Sequence, residues 1–221
     1  MTSHDAHGRT AEHVVEIPTD AGPARVHVRR PRGARGTVAL GHGAGSGFGS
    51  VDLVAAMTAL DAAGWATALV EQPWLVAGHR MAGRPPTLDA AWVPVVQALR
   101  LQGGALAGVT GPLVLGGRSA GARVACRTAT ELRADAVLCL SFPLHLPGQR
   151  DKLRSHELAL VTDAGLPIAA VQGLNDTFGT AGEVSAYLDR VYPVPGTHSI
   201  PRGSGPLVAA AVLDFTSALR E

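Results

Sequence analysis

Cysteine is scarce in this chain, with two residues, Cys126 and Cys139, in 221. One falls in a helix-like run and the other in an apolar strand-like run, so both read as small buried hydrophobes and not as a disulfide or metal pair. A reducing compartment, the cytoplasm, is the setting this implies. Lysine is scarcer still: Lys152 stands alone among 19 basic residues, which face 18 acidic ones for a formal net charge of +1. With aromatics at 4% and no block of Lys and Arg or basic helix, a nucleic-acid partner or a membrane-surface role is not expected. No apolar run reaches membrane-spanning length, and the polar stretch from Met1 to Thr10 lacks an apolar signal core. The nine histidines are scattered, without His-Glu-x-x-His or His-x-His spacing, so neither a metal nor another cofactor is expected.

What the chain does have is Gly117-Arg118-Ser119-Ala120-Gly121 between an apolar strand-like run ending at Gly116 and a helix-like run from Ala122. A serine on a sharp strand-to-helix turn projects its hydroxyl from the sheet edge, and glycines two residues away on either side prevent collisions. The helix that follows aims its first N–H groups at the place where an oxyanion would form, which suits acyl transfer to serine. Such a nucleophile is followed in the chain by an acid and then a histidine. Asp176 leaves the apolar run 167–172 in Gly173-Leu174-Asn175-Asp176, and His198 follows the run 190–194 in Gly196-Thr197-His198. His145 and His156 precede Asp176 and reverse the order, Asp163 lies at the other edge of the sheet, and Asp189 falls on an expected helix. The second oxyanion donor is sought in Gly41-His42-Gly43-Ala44-Gly45-Ser46-Gly47, directly after the strand-like 37–40. The N–H groups of Ala44 and Ala120 are the expected pair, with His42 structural. No Gly-x-Gly-x-x-Gly at a helix entry and no Walker sequence is present, so this loop is not a phosphate cradle.

Apolar runs place strands at about 13–17, 24–30, 37–41, 66–71, 112–116, 136–141, 167–172 and 190–194, and helices at about 51–63, 88–101, 120–132, 152–161, 180–189 and 205–219. From the third strand onward the two alternate, which predicts an α/β fold: a mostly parallel sheet of about eight strands, helices on both faces, and a short antiparallel hairpin through Asp20, Ala21 and Gly22. A single domain over 13–221 after a flexible N-terminus 1–12 is expected. The 206–219 helix is apolar enough to pack on the sheet or to pair two copies, so a monomer and a homodimer both stay open.

Two longer segments, 72–87 and 142–156, leave strands at the edge where loops build a site. They supply Trp74, Arg80, Arg84, His145, Arg154 and His156 as expected substrate contacts, a set that suits a small, anionic acyl substrate. Their arginines would otherwise pair with Asp89, Asp151 or loop carbonyls. Neither segment is long enough for a large cap domain.

The blocks GHGAGSG (41–47), GRPPT (83–87), GGRSAGARVA (116–125), FPLHLPGQRDKLRSHEL (142–158), VQGLNDTFG (171–179) and GTHSIPRGSG (196–205) resemble the α/β-hydrolase superfamily, and within it the small dienelactone-hydrolase-like or Tex-type α/β-hydrolase-like proteins. The resemblance implies a hydrolase fold and a Ser119, Asp176, His198 triad. Dienelactone hydrolases proper use a cysteine nucleophile, and this chain has Ser119 there. The expectation is a serine hydrolase for an ester, thioester or similar acyl bond; the alternatives are a non-catalytic binding module or a peptidase of the same fold.

Overall fold

The computed structural model describes residues 11–45 and 47–219. The expected flexible terminus lies outside the described residues as far as Thr10, and Glu12 already opens the first strand. The strands are β1 (Glu12–Thr19), β2 (Gly22–Arg29), β3 (Thr37–Gly41), β4 (Ala66–Glu71), β5 (Leu113–Arg118), β6 (Ala136–Leu140), β7 (Ile168–Gly173) and β8 (Val191–Val194). They form one 8-stranded sheet in the order β1-β2-β4-β3-β5-β6-β7-β8. β1 pairs antiparallel with β2 through Thr19 opposite Gly22, β2 pairs antiparallel with β4, and every other pair is parallel. Strands β3 to β6 are buried along their whole length, which is why they read as unbroken apolar runs: a parallel sheet is covered on both faces. β2 buries every second residue, Ala24, Val26 and Val28, as an edge hairpin with one wet face does.

The helices are α1 (Val51–Ala62), α2 (Pro73–Val76), α3 (Pro85–Arg100), α4 (Ala120–Thr128), α5 (Ser155–Thr162), α6 (Ala181–Val184) and α7 (Gly205–Ser217). Alternation along each strand divides the core in two. Ala39, Leu115 and Cys139 face α3, α4 and α5 with Trp92, Val96 and Leu158. Val38, Val114 and Leu138 face α1 and α7 with Leu53, Leu60, Val212 and Phe215. The 206–219 stretch thus packs on the sheet. α3 begins at Pro85, three residues before the expected start at Leu88, because a proline fits the first helical turn. The expected helix 180–189 is cut to α6: a capping box between Thr180 and Glu183 starts it, and the chain turns after Val184 to reach β8. Gln72–Arg84 forms the short α2 and a loop and 141–154 forms no helix, so no cap covers the strand ends. Among the described residues no helix is long and apolar enough to cross a membrane.

The elbow depends on missing side chains. A Cβ on Gly121 would lie 2.3 Å from the Gly41 carbonyl oxygen, and one on Gly117 would lie 2.4 Å from the same atom. β3, β5 and the first turn of α4 therefore meet backbone to backbone. Gly121→Ala is expected to force α4 off β3 and lower stability by about 1–3 kcal/mol, read as a shifted urea midpoint at unchanged slope.

Candidate active site

Ser119 sits between β5 and α4 at φ 53° and ψ −108°, in the region non-glycine residues avoid. Its N–H donates to the Leu140 carbonyl at 2.9 Å and its carbonyl accepts from the Arg123 N–H at 3.2 Å. Both bonds hold the turn in its strained form and leave the hydroxyl at the C-terminal edge of the sheet. There the loops after β7 and β8 deliver the two partners expected from chain order. His198 Nε2 lies 3.0 Å from Ser119 Oγ, and His198 Nδ1 lies 2.9 Å and 3.2 Å from the two Asp176 oxygens. The Asp176 side chain is fully buried whereas the imidazole keeps 18% of its surface open. The Phe178 ring lies against it at 4.2 Å between centroids. A carboxylate on Nδ1 selects the tautomer that carries its proton there, which leaves Nε2 free to accept the serine proton.

Two side chains that sequence reasoning passed over hold this arrangement. Gln172, fully buried at the end of β7, donates through Nε2 to Asp176 Oδ2 at 3.0 Å and to the Gly179 carbonyl at 2.7 Å, while its Oε1 accepts from the Phe142 N–H at 2.8 Å. The Phe178 N–H donates to the other Asp176 oxygen at 2.8 Å. The carboxylate is thus aimed from both sides. Arg118, the residue before the serine, donates through Nη2 to the His198 carbonyl at 2.6 Å, and its Nε lies 3.1 Å from buried Asp52. The available sign for both was a polar residue inside an apolar strand, which must find partners when buried. Gln172→Leu is expected to lower kcat up to about 100-fold through misplacement with KM little changed.

The glycine-rich loop after β3 is tied by His42. Its Nε2 accepts from the Gln72 N–H at 3.2 Å, so the ring proton is on Nδ1, which donates to the Gly43 carbonyl at 2.9 Å. Burial pushes its pKa down against the opposing pull of Gly43 and Glu71, and the ring stays neutral. Ala44 follows in the turn, and Ala120 opens α4, where the first N–H groups have no partner within the helix. Both alanines line one cavity of about 240 Å³.

None of the six expected substrate contacts lines that cavity. The Trp74 ring packs 5.2 Å from His42, Arg80 and Arg84 point into solvent, and His156 is exposed on α5. His145 is buried, with Nδ1 donating to the Leu146 carbonyl at 3.0 Å. Arg154 reaches back to the Pro143 carbonyl at 3.0 Å and fixes its own loop. The segment 72–87 does meet the site, but through Met81, Ala82, Gly83 and Pro85. The basic residues that line the cavity are Arg123 and Arg127 of α4, tied to Glu157 and Asp89. Burial alone would raise the Glu157 pKa; the hydrogen bonds and charges of Arg123 and Arg127 outweigh it and hold the carboxyl below its usual value.

A mostly parallel eight-stranded sheet with a serine elbow at its C-terminal edge defines the α/β-hydrolase fold, and the comparisons agree. Residues 34–203 match the family described as alpha/beta hydrolase domain, and the chain belongs to that family. Similar solved structures include an α/β serine hydrolase without lid from Xanthomonas campestris, at 15% identity and TM-score 0.72, covering 95% of each chain. Est1E from Butyrivibrio proteoclasticus with ferulic acid bound has 16% identity and TM-score 0.74, covering 93% of this chain and 98% of that one. A dienelactone hydrolase from Anabaena variabilis has 18% identity and TM-score 0.72, covering 96% and 99%. None of the curated proteins matches this chain in sequence.

Proposed function

We infer that the chain is a serine hydrolase that cleaves a carboxylic ester, thioester or related acyl bond of a small substrate. One observation carries the reading: the unbroken hydrogen-bonded line from Ser119 Oγ through the His198 ring to buried Asp176. In the reaction, His198 Nε2 takes the Ser119 proton as Oγ attacks the acyl carbon, and the carbonyl oxygen becomes an oxyanion received by the N–H groups of Ala44 and Ala120. The imidazolium, stabilised by Asp176, passes its proton to the leaving oxygen or sulfur as that bond breaks. Water, deprotonated by the same nitrogen, then attacks the acyl-enzyme, and Ser119 recovers its proton. The modest cavity lined by Ala44 and Ala120 favours compact acyl groups over long chains. We propose the cytoplasm as the protein's setting, a reading supported by Cys126 and Cys139 as free buried thiols with sulfurs 3.6 Å apart.

Labelling with a fluorophosphonate tests the reading, since such probes react with activated serines. The expected result is one adduct per chain, located on the Ser119 peptide. A folded sample that takes up no label, or takes it elsewhere, would contradict the assignment.

A further inference from the structure

Ala120, Arg123 and Arg127 follow one another at helical spacing and present a single face of α4, and all three line the cavity that also holds Ala44. The remaining wall is apolar, with Met81 and Leu88 among its residues. Helical side chains lean toward the N-terminus, the end of α4 at which Ser119 sits. The four residue steps from Ser119 to Arg123 rise about 6 Å along the axis.

The two arginines differ in what is left of their hydrogen-bonding capacity. Arg127 donates through Nε and Nη2 to Asp89, both at 2.7 Å, and through Nη1 to Glu157 at 2.6 Å. All three nitrogens are engaged, and Arg127 serves as a fixed support. Arg123 gives only its Nε and Nη2 edge to Glu157, at 2.6 Å and 2.8 Å. Among the described residues Nη1 has no acceptor, and the side chain keeps 20% of its surface open. Its outer edge, Nη1 with Nη2, is the fork that receives a carboxylate. The charges are unbalanced as well: Arg154 is close enough that its pKa is lowered by burial and then by the Arg123 charge. Arg123 and Arg127 share the carboxylates of Asp89 and Glu157, and Arg154 adds a further positive charge close to Arg123.

We propose that this cavity selects an acyl group that carries its own carboxylate a few carbons from the scissile carbonyl, the half-ester or half-thioester of a short dicarboxylic acid, with Arg123 as the specificity-determining residue. The inference rests on the serine-hydrolase reading. A volume of about 240 Å³ holds about eight water-sized groups, enough for a chain of three to five carbons with its terminal carboxylate.

Monoethyl glutarate and ethyl pentanoate differ only in a carboxylate against a methyl at the far end of the acyl chain. Each is used to slow fluorophosphonate labelling of Ser119, and its hydrolysis is followed alongside. The half-ester is expected to protect at concentrations at least about tenfold lower, with the advantage shrinking as salt is added. Arg123→Lys, which keeps a charge for Glu157 but not the fork, is expected to lose most of that ratio. The double variant Arg123→Gln, Glu157→Gln leaves no carboxylate unpaired and, checked as folded by circular dichroism, is expected to bring the ratio to about one. Equal protection by the two esters in the wild type, or a ratio that survives Arg123→Lys, overturns the inference while labelling at Ser119 leaves the hydrolase reading intact. Absence of labelling removes that reading, and the acyl selectivity with it.

Discussion

Ser119→Ala removes ester turnover, with kcat expected to fall by about six orders of magnitude, the size of effect seen when a serine nucleophile is deleted from such a triad. The loss is chemical and not structural. Among the described residues the Ser119 hydroxyl bonds only to His198 Nε2, whereas the turn is held by the backbone bonds to Leu140 and Arg123, which alanine keeps. Alanine at φ 53° carries the same Cβ strain as serine. The urea midpoint should therefore stay close to wild type while steady-state hydrolysis of a short ester vanishes. Residual turnover within tenfold of wild type, about 1.4 kcal/mol in the barrier, would place the nucleophile on another residue.

Asp176→Asn is expected to cost about four orders of magnitude in kcat. Each carboxylate oxygen already accepts a backbone or side-chain donor, Phe178 N–H on one and Gln172 Nε2 on the other. An amide NH₂ placed at either position faces a donor, and placed toward His198 Nδ1 it forces that nitrogen to accept. The ring proton then moves to Nε2, which can no longer take one from Ser119. A measurable drop in stability accompanies the kinetic loss, because one of the two buried donors is left unpaired. Asp163→Asn and Asp189→Asn serve as controls: the first caps the end of α5 and the second lies in the turn before β8. Both should leave kcat near wild type. An Asp176→Asn enzyme of nearly full activity would mean that another carboxylate orients the imidazole.

The positions of Ser119, Asp176 and His198 were legible because each follows a fully apolar or β-rich strand in a fixed chain order, and a strand–Gly-x-Ser-x-Gly–helix junction admits few geometries. The sheet was legible for the same reason: strands covered on both faces are built mostly of apolar residues. Gln172 and Arg118 were not, since a polar residue at a strand end looks alike whether it faces solvent or the inside of a loop. The substrate wall shows a related limit. The segment 72–87 was recognised, but residue type does not tell which residues of an irregular loop border a cavity: Met81 and Pro85 line it, and Arg80 and Arg84 do not. Arg123 and Arg127 were hidden in a segment read only as a helix. Their role emerges from the carboxylates of α3 and α5 that orient them, partners separated by 34 and 38 positions in the chain.

The acyl-enzyme is the species on which the account stands. Turnover of a short ester stopped by acid within one cycle, followed by peptide mass spectrometry, should show the acyl group on the Ser119 peptide and none on the Ser119→Ala protein. An acyl group carried by another side chain, or full pre-steady-state product release with no adduct at all, would contradict it.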